Sequence, residues 1–148
     1  MNAIDQAKTP EMATKIASLV SLFREEFLDA DPDFSPWLKD AHYDKTIDPN
    51  SIDVSYHFPG IHPTCRGQCI LVMIRYNGTP YLPKADVLEI EAIGFCNEQQ
   101  HWRISTVGEW TFEGFITPAR EAQERIYNYF RGVFHLFQNP MYGPYQFR

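Results

Sequence analysis

Two spacings of apolar residues divide the chain. Met12, Ile16, Leu19, Val20, Phe23 and Phe27 recur at intervals that place them on one face of a helix. Thr9-Pro10-Glu11 supplies its start: Thr as N-cap, Pro where a missing N–H costs nothing, and Glu facing the positive end of the dipole. From Ser51 the interval falls to two. Ile52, Val54, Tyr56 and Phe58 alternate with Asp53, Ser55 and His57, as a half-buried strand requires.

After a turn-rich stretch, residues 59–67, the nearly continuous apolar run of residues 69–76 predicts a central strand covered, at least in part, on both faces. Asn77-Gly78 is a turn signal, and residues 81–84, with Pro80 before them and Pro83 among them, read as a loop or an interrupted edge. Residues 87–95 form the next strand, with Glu89 and Glu91 opposite Leu88 and Ile90. A change of parity near Ala92 and Ile93 predicts a bulge or a doubly covered end. Beyond a turn at residues 97–100, Trp102, Ile104, Thr106, Trp110 and Phe112 keep one parity through a bend at Gly108.

Thr117-Pro118 repeats the helix-start signal. Ala122, Ile126, Tyr129, Phe130, Val133 and Phe137 then fall on one helical face, which stops before Asn139-Pro140. Between the first helix and the first strand, residues 31–50 contain three prolines, predicting a long loop with one helical turn around Trp37 and Leu38. The predicted architecture is α+β: an N-terminal helix, a four-stranded, mainly antiparallel meander and a C-terminal helix on the same sheet face, in one domain over residues 1–148. The other sheet face is expected to expose a polar set.

Composition narrows the functions. Aromatics reach 15% of the chain, enough to line a pocket for a flat ligand as well as to fill a core. The net charge of −6, with no segregated basic patch, argues against nucleic acid as a partner. The longest apolar run, Cys69 to Ile74, is far below the ~20 residues of a membrane-spanning helix, so no membrane partner is expected. Residues 1–8 lack the apolar stretch of a secretory signal. The expected compartment is the cytoplasm, where the three cysteines would be free thiols or ligands.

Two constellations carry candidate chemistry. His57, His62, Cys65 and Cys69 have the spacing H-x4-H-x2-C-x3-C, and imidazole and thiolate donors at such intervals suit zinc. A variant holds haem through His57, His62 or Cys65, non-covalently because no Cys-x-x-Cys-His occurs. The competing reading is plain structure, a buried cysteine and loop histidines. The second constellation is the polar sheet face, where His57, Arg75, Glu89, Glu91, His101 and Arg103, with Asp53, Glu109 and Glu113, would bind a polar molecule or perform acid–base work. Cross-strand charge pairing gives the same pattern.

His62 joins the ligand-binding candidates, and Cys65 three residues later is a weak nucleophile candidate without a local orienting acid. Neither a P-loop nor a dinucleotide fingerprint occurs. The aromatic arm, residues 139–148, is expected to cover its own domain or to form an interface, with a homodimer as one arrangement. The leading expectation is a non-enzymatic module holding a small molecule or a partner protein, through an aromatic-lined cavity between helices and sheet or through the sheet's polar face. A metal or haem protein centred on His57 to Cys69 and a small acid–base enzyme are the alternatives.

Overall fold

Thr9 caps as its position predicts: its hydroxyl accepts from Met12 N at 3.1 Å, and Pro10 opens a long helix. The computed structural model describes residues 1–37 and 47–138. Among these, a one-turn helix α1 (Ala3–Gln6) precedes α2 (Pro10–Glu26), and α3 (Arg120–Gln138) ends the described chain. α3 begins later than Thr117-Pro118 implies. Ala119 N donates to Thr64 O at 2.7 Å, so the backbone there is tied to the turn between the second and third strands before its own carbonyl accepts the first bond of the helix, from Gln123 N.

The sheet is antiparallel and has five strands in the order β1-β2-β3-β4-β5. They are β1 (Asp31–Asp33), β2 (Ser51–His62), β3 (Gly67–Tyr76), β4 (Val87–Cys96) and β5 (Gln99–Ser105). The unforeseen strand is β1, a three-residue edge inside the predicted loop that pairs Asp31 with His57 and Asp33 with Ser55. It is too short to show a period, and its Pro32 is tolerated because an edge strand has one unpaired side. Leu38 and the arm of residues 139–148 lie outside the described residues.

The parity of residues 102–112 holds for a different reason than an extended strand. β5 stops at Ser105 and the turn Thr106–Gly108 follows. Glu109 and Trp110 then both adopt positive φ, which folds the chain back so that Glu113 bridges to Arg103. Trp110 lands against Phe130 and Phe134, and Phe112 against Trp102 and Tyr127. Asn97 and Glu98, again with positive φ, make the tight β4–β5 turn.

One apolar core joins α2 and α3 to the even-numbered side chains of the sheet, from Ile52, Val54 and Tyr56 through Ile70, Val72 and Ile74 to Trp102 and Ile104. The parity change at Ala92 and Ile93 is double coverage: Ala92 belongs to that core, while Ile93 joins Leu71 and Met73 in a second cluster on the opposite face, with Trp37 and Phe95 packed against it. The expectation of an exposed polar second face is therefore corrected. Ser51, Asp53, Ser55, Glu91 and Ser105 are all buried there. Alternation assigns a residue to a face but does not say what lies over it.

Candidate functional site

On that second face the strand register lines up Asp53, Met73, Glu91 and Ser105 across β2 to β5. Glu91 stands between two guanidinium groups: Arg75 Nη1 donates to its Oε1 at 2.8 Å and Arg103 Nε to its Oε2 at 2.7 Å. Arg75 also reaches Glu89 at 3.2 Å, Ser105 Oγ donates to Glu89 at 2.6 Å, and Arg103 extends to Glu113 at 3.3 Å. Burial opposes the charge on Arg75, but its bonds to Glu91 and Glu89 more than compensate and its pKa rises. For Arg103 the hydrogen bond to Glu91 is the largest cause of the same rise. Both guanidinium groups are thus matched by carboxylates already in place.

The histidines keep other company. His57 Nε2 lies 3.0 Å from Ser55 Oγ, 3.9 Å from Cys69 Sγ and 4.0 Å from Asp33 Oδ2. All three converge on one ring nitrogen, whereas a nucleophile–base–acid relay needs the acid on the other. His101 Nδ1 is 3.0 Å from Arg66 O, and its ring meets Phe115 edge-on. Neither is a partner of Glu89 or Glu91, so the proposed acid–base convergence is not formed.

The His57–Cys69 cluster also separates. β2 pairs with β3 so that His57 faces Cys69 on the second sheet face. Cys65 is fully buried in the core shared with the helices, and the Trp102 indole donates to its carbonyl at 3.0 Å. His62 Nδ1 accepts from the Cys65 backbone at 3.1 Å, while its ring packs on Phe58 and Phe27. Among the described residues no group of three or more His, Cys, Asp or Glu is placed to hold a metal ion, which corrects the four-ligand expectation. Burial pushes the Cys65 thiol up to about 12 and the Cys69 thiol up to about 11, so both favour the protonated form, which is not the nucleophile.

Residues outside both candidate constellations come together at the end of the helix–sheet layer. A groove of about 950 Å³ opens between the start of α2, the β3–β4 connection and the last turn of α3. Its apolar walls include Met12, Tyr76, Tyr81, Val87 and Phe137. The β3–β4 connection is not the short Asn-Gly hairpin turn: Asn77 closes a longer loop by donating its N–H to Asp86 O at 3.0 Å and accepting from Asp86 N on its side chain at 2.8 Å. That closure brings Tyr81 to the groove.

Lys15 enters from α2, half-buried, with Nζ 5.5 Å from the centre of the Phe137 ring. Burial lowers its pKa, and among the described residues no carboxylate lies within ion-pair distance of it. Burial also raises the pKa of Tyr76, so its phenol is available to the groove as a neutral hydroxyl. An apolar concavity of this size holding a few polar groups has the composition of a small-molecule site.

Residues 4–139 match the model of a family described as a domain of unknown function. The chain belongs to that family. The matched span takes in β1 to β5, α2 and α3, and with them both the charged sheet face and the groove. No curated protein and no solved structure matches the chain. No helix among the described residues is long and apolar enough to cross a membrane.

Proposed function

We propose that this protein is a non-enzymatic ligand-binding module whose small-molecule ligand lies in the groove between α2, the β3–β4 loop and the end of α3. The observation that carries this reading is Lys15: a half-buried amine set against an aromatic ring in a groove of about 950 Å³, with no carboxylate partner among the described residues. Among the described residues that line the groove there is no imidazole and no thiol, the side chains that most often act as general base or nucleophile, which favours holding a molecule over transforming it. Its concavity favours a small molecule over a partner protein as the primary ligand. We place the protein in the cytoplasm, where its three free cysteines would stay reduced.

Thermal melts against a panel of small aromatic and aliphatic acids, amines, alcohols and nucleosides test this reading. A ligand at about 100 times its dissociation constant adds ~2.7 kcal/mol, which for a chain of this size raises Tm by roughly 5–11 °C. Met12→Trp, which fills the groove, and Tyr81→Ala, which opens its wall, are both expected to reduce that shift. A panel without a stabilising compound, or a shift that both variants leave undiminished, contradicts the proposal.

A further inference from the structure

We infer that the groove selects a monocarboxylate, its apolar body lying among Tyr76, Tyr81 and Phe137 and its head paired with Lys15. The inference rests on the groove being the ligand site and adds the chemical class of the ligand. The charged groups facing Lys15 can be named from each element around it. The start of α2 and the residues before it contribute Lys8 and Glu11, the end of β3 the hydroxyl of Tyr76, the β3–β4 loop Asp86 and the hydroxyl of Tyr81, and the described end of α3 the uncharged Phe137 and Gln138.

Lys8, Glu11 and Asp86 are exposed, so water screens them; among the described lining residues Lys15 is the one cation that is half-buried. A cationic ligand would meet that ammonium with only the solvent-screened carboxylates of Glu11 and Asp86 among the described lining residues to offset it. A dianion would bring a second charge with no second cation withdrawn from solvent among the described lining residues to match it. A single negative charge is neutralised by Lys15 alone, and the strengthening of that pair in a partly desolvated site makes it selective. The aromatic rings then receive the apolar remainder of the ligand.

Burial alone shifts Lys15, and it disfavours the ammonium form. A bound carboxylate acts in the opposite sense, so the complex should hold the Lys15 proton more tightly than the free protein does. Affinity for a carboxylate is therefore sustained at neutral pH and falls as the pH rises through the lowered pKa of the free lysine.

Calorimetric titration of the full chain with 2-naphthoate, 2-naphthol and 2-naphthyl phosphate separates the outcomes. The three share one apolar body and carry one, no and two negative charges near neutral pH. Naphthoate is expected to bind one to one, at least tenfold tighter than naphthol and tighter than the phosphate. Lys15→Met, which keeps the apolar stem, should bring naphthoate to the level of naphthol, leave naphthol unchanged and abolish the alkaline loss of naphthoate affinity; Lys15→Arg should retain the preference. Equal binding of naphthoate and naphthol, or a preference that survives in Lys15→Met, overturns the carboxylate assignment. If Met12→Trp still abolishes binding in that case, the groove reading stands without it. Binding by none of the three probes overturns the inference and removes support from the groove reading with it.

Discussion

Trp102→Ala is expected to destabilise the protein by about 3–5 kcal/mol, the cost of truncating a large, fully enclosed aromatic side chain. Trp102 has no exposed surface. Its ring lies against Gly94 on the neighbouring strand, and a Cβ added at Gly94 would stand 2.2 Å from Trp102 Cε2. Gly94 is thus a slot for the indole, and its lack of a side chain is a packing requirement, separate from any need for unusual backbone angles. The indole N–H also donates to Cys65 O at 3.0 Å, so truncation strands a buried carbonyl as well as opening a cavity. At roughly 2–4 °C per kcal/mol for a chain of this size, Tm should fall by about 6–20 °C. A fall below about 3 °C in a thermal melt would mean that the slot is not packed as described.

Glu91→Ala is the second. It removes the acceptor shared by Arg75 and Arg103 and leaves two guanidinium groups over a face that also buries Leu71, Met73 and Ile93. Removing one member of a buried ion cluster costs about 3–5 kcal/mol. Both arginine side chains retain 31% exposure, and solvent screening brings the expectation down to about 2–3 kcal/mol. Urea unfolding of Glu91→Ala and of Glu113→Ala reads the contrast. Glu113 is 56% exposed and among the described residues its carboxylate bonds only Arg103, so its loss should cost less than about 1 kcal/mol. Equal effects of the two variants would show that Glu91 is no keystone.

The two spacings made much of the fold legible. The apolar stripes of α2 and α3 and the alternation in β2 are direct consequences of 3.6 and two residues per repeat, and the residues those repeats assign to the helices are buried except Val20, which is partly buried, with Phe27 at the C-cap of α2. Three features escaped for identifiable reasons. β1 is too short for a period, the fold-back at Glu109 and Trp110 depends on positive φ at residues that do not advertise it, and the cover over the second face involves Trp37 arriving from a loop. The Trp37 indole donates to Asp53 Oδ2 at 2.6 Å, a contact between positions that no periodicity links.

The candidate sites were legible in part. Arg75, Glu89, Glu91 and Arg103 do assemble, because adjacent strands in register put same-parity residues side by side, but they neutralise one another. Ligand spacing at His57, His62, Cys65 and Cys69 misled because β2 and the turn after it send the four to different surroundings: two to the second face, one to the core, one against Phe58. The groove draws on three distant parts of the chain. Lys15 reads in isolation as one more charged residue beside an apolar stripe, and Tyr81 as part of a loop between prolines.

The central claim is that a small ligand enters this groove and leaves the charged sheet face alone. Methyl NMR on protein labelled at methionine tests it directly, since Met12 lines the groove and Met73 lies on the opposite face of the sheet. On titration with 2-naphthoate the Met12 methyl resonance should move saturably while that of Met73 holds its position. Movement of Met73 with Met12 unmoved would contradict the account.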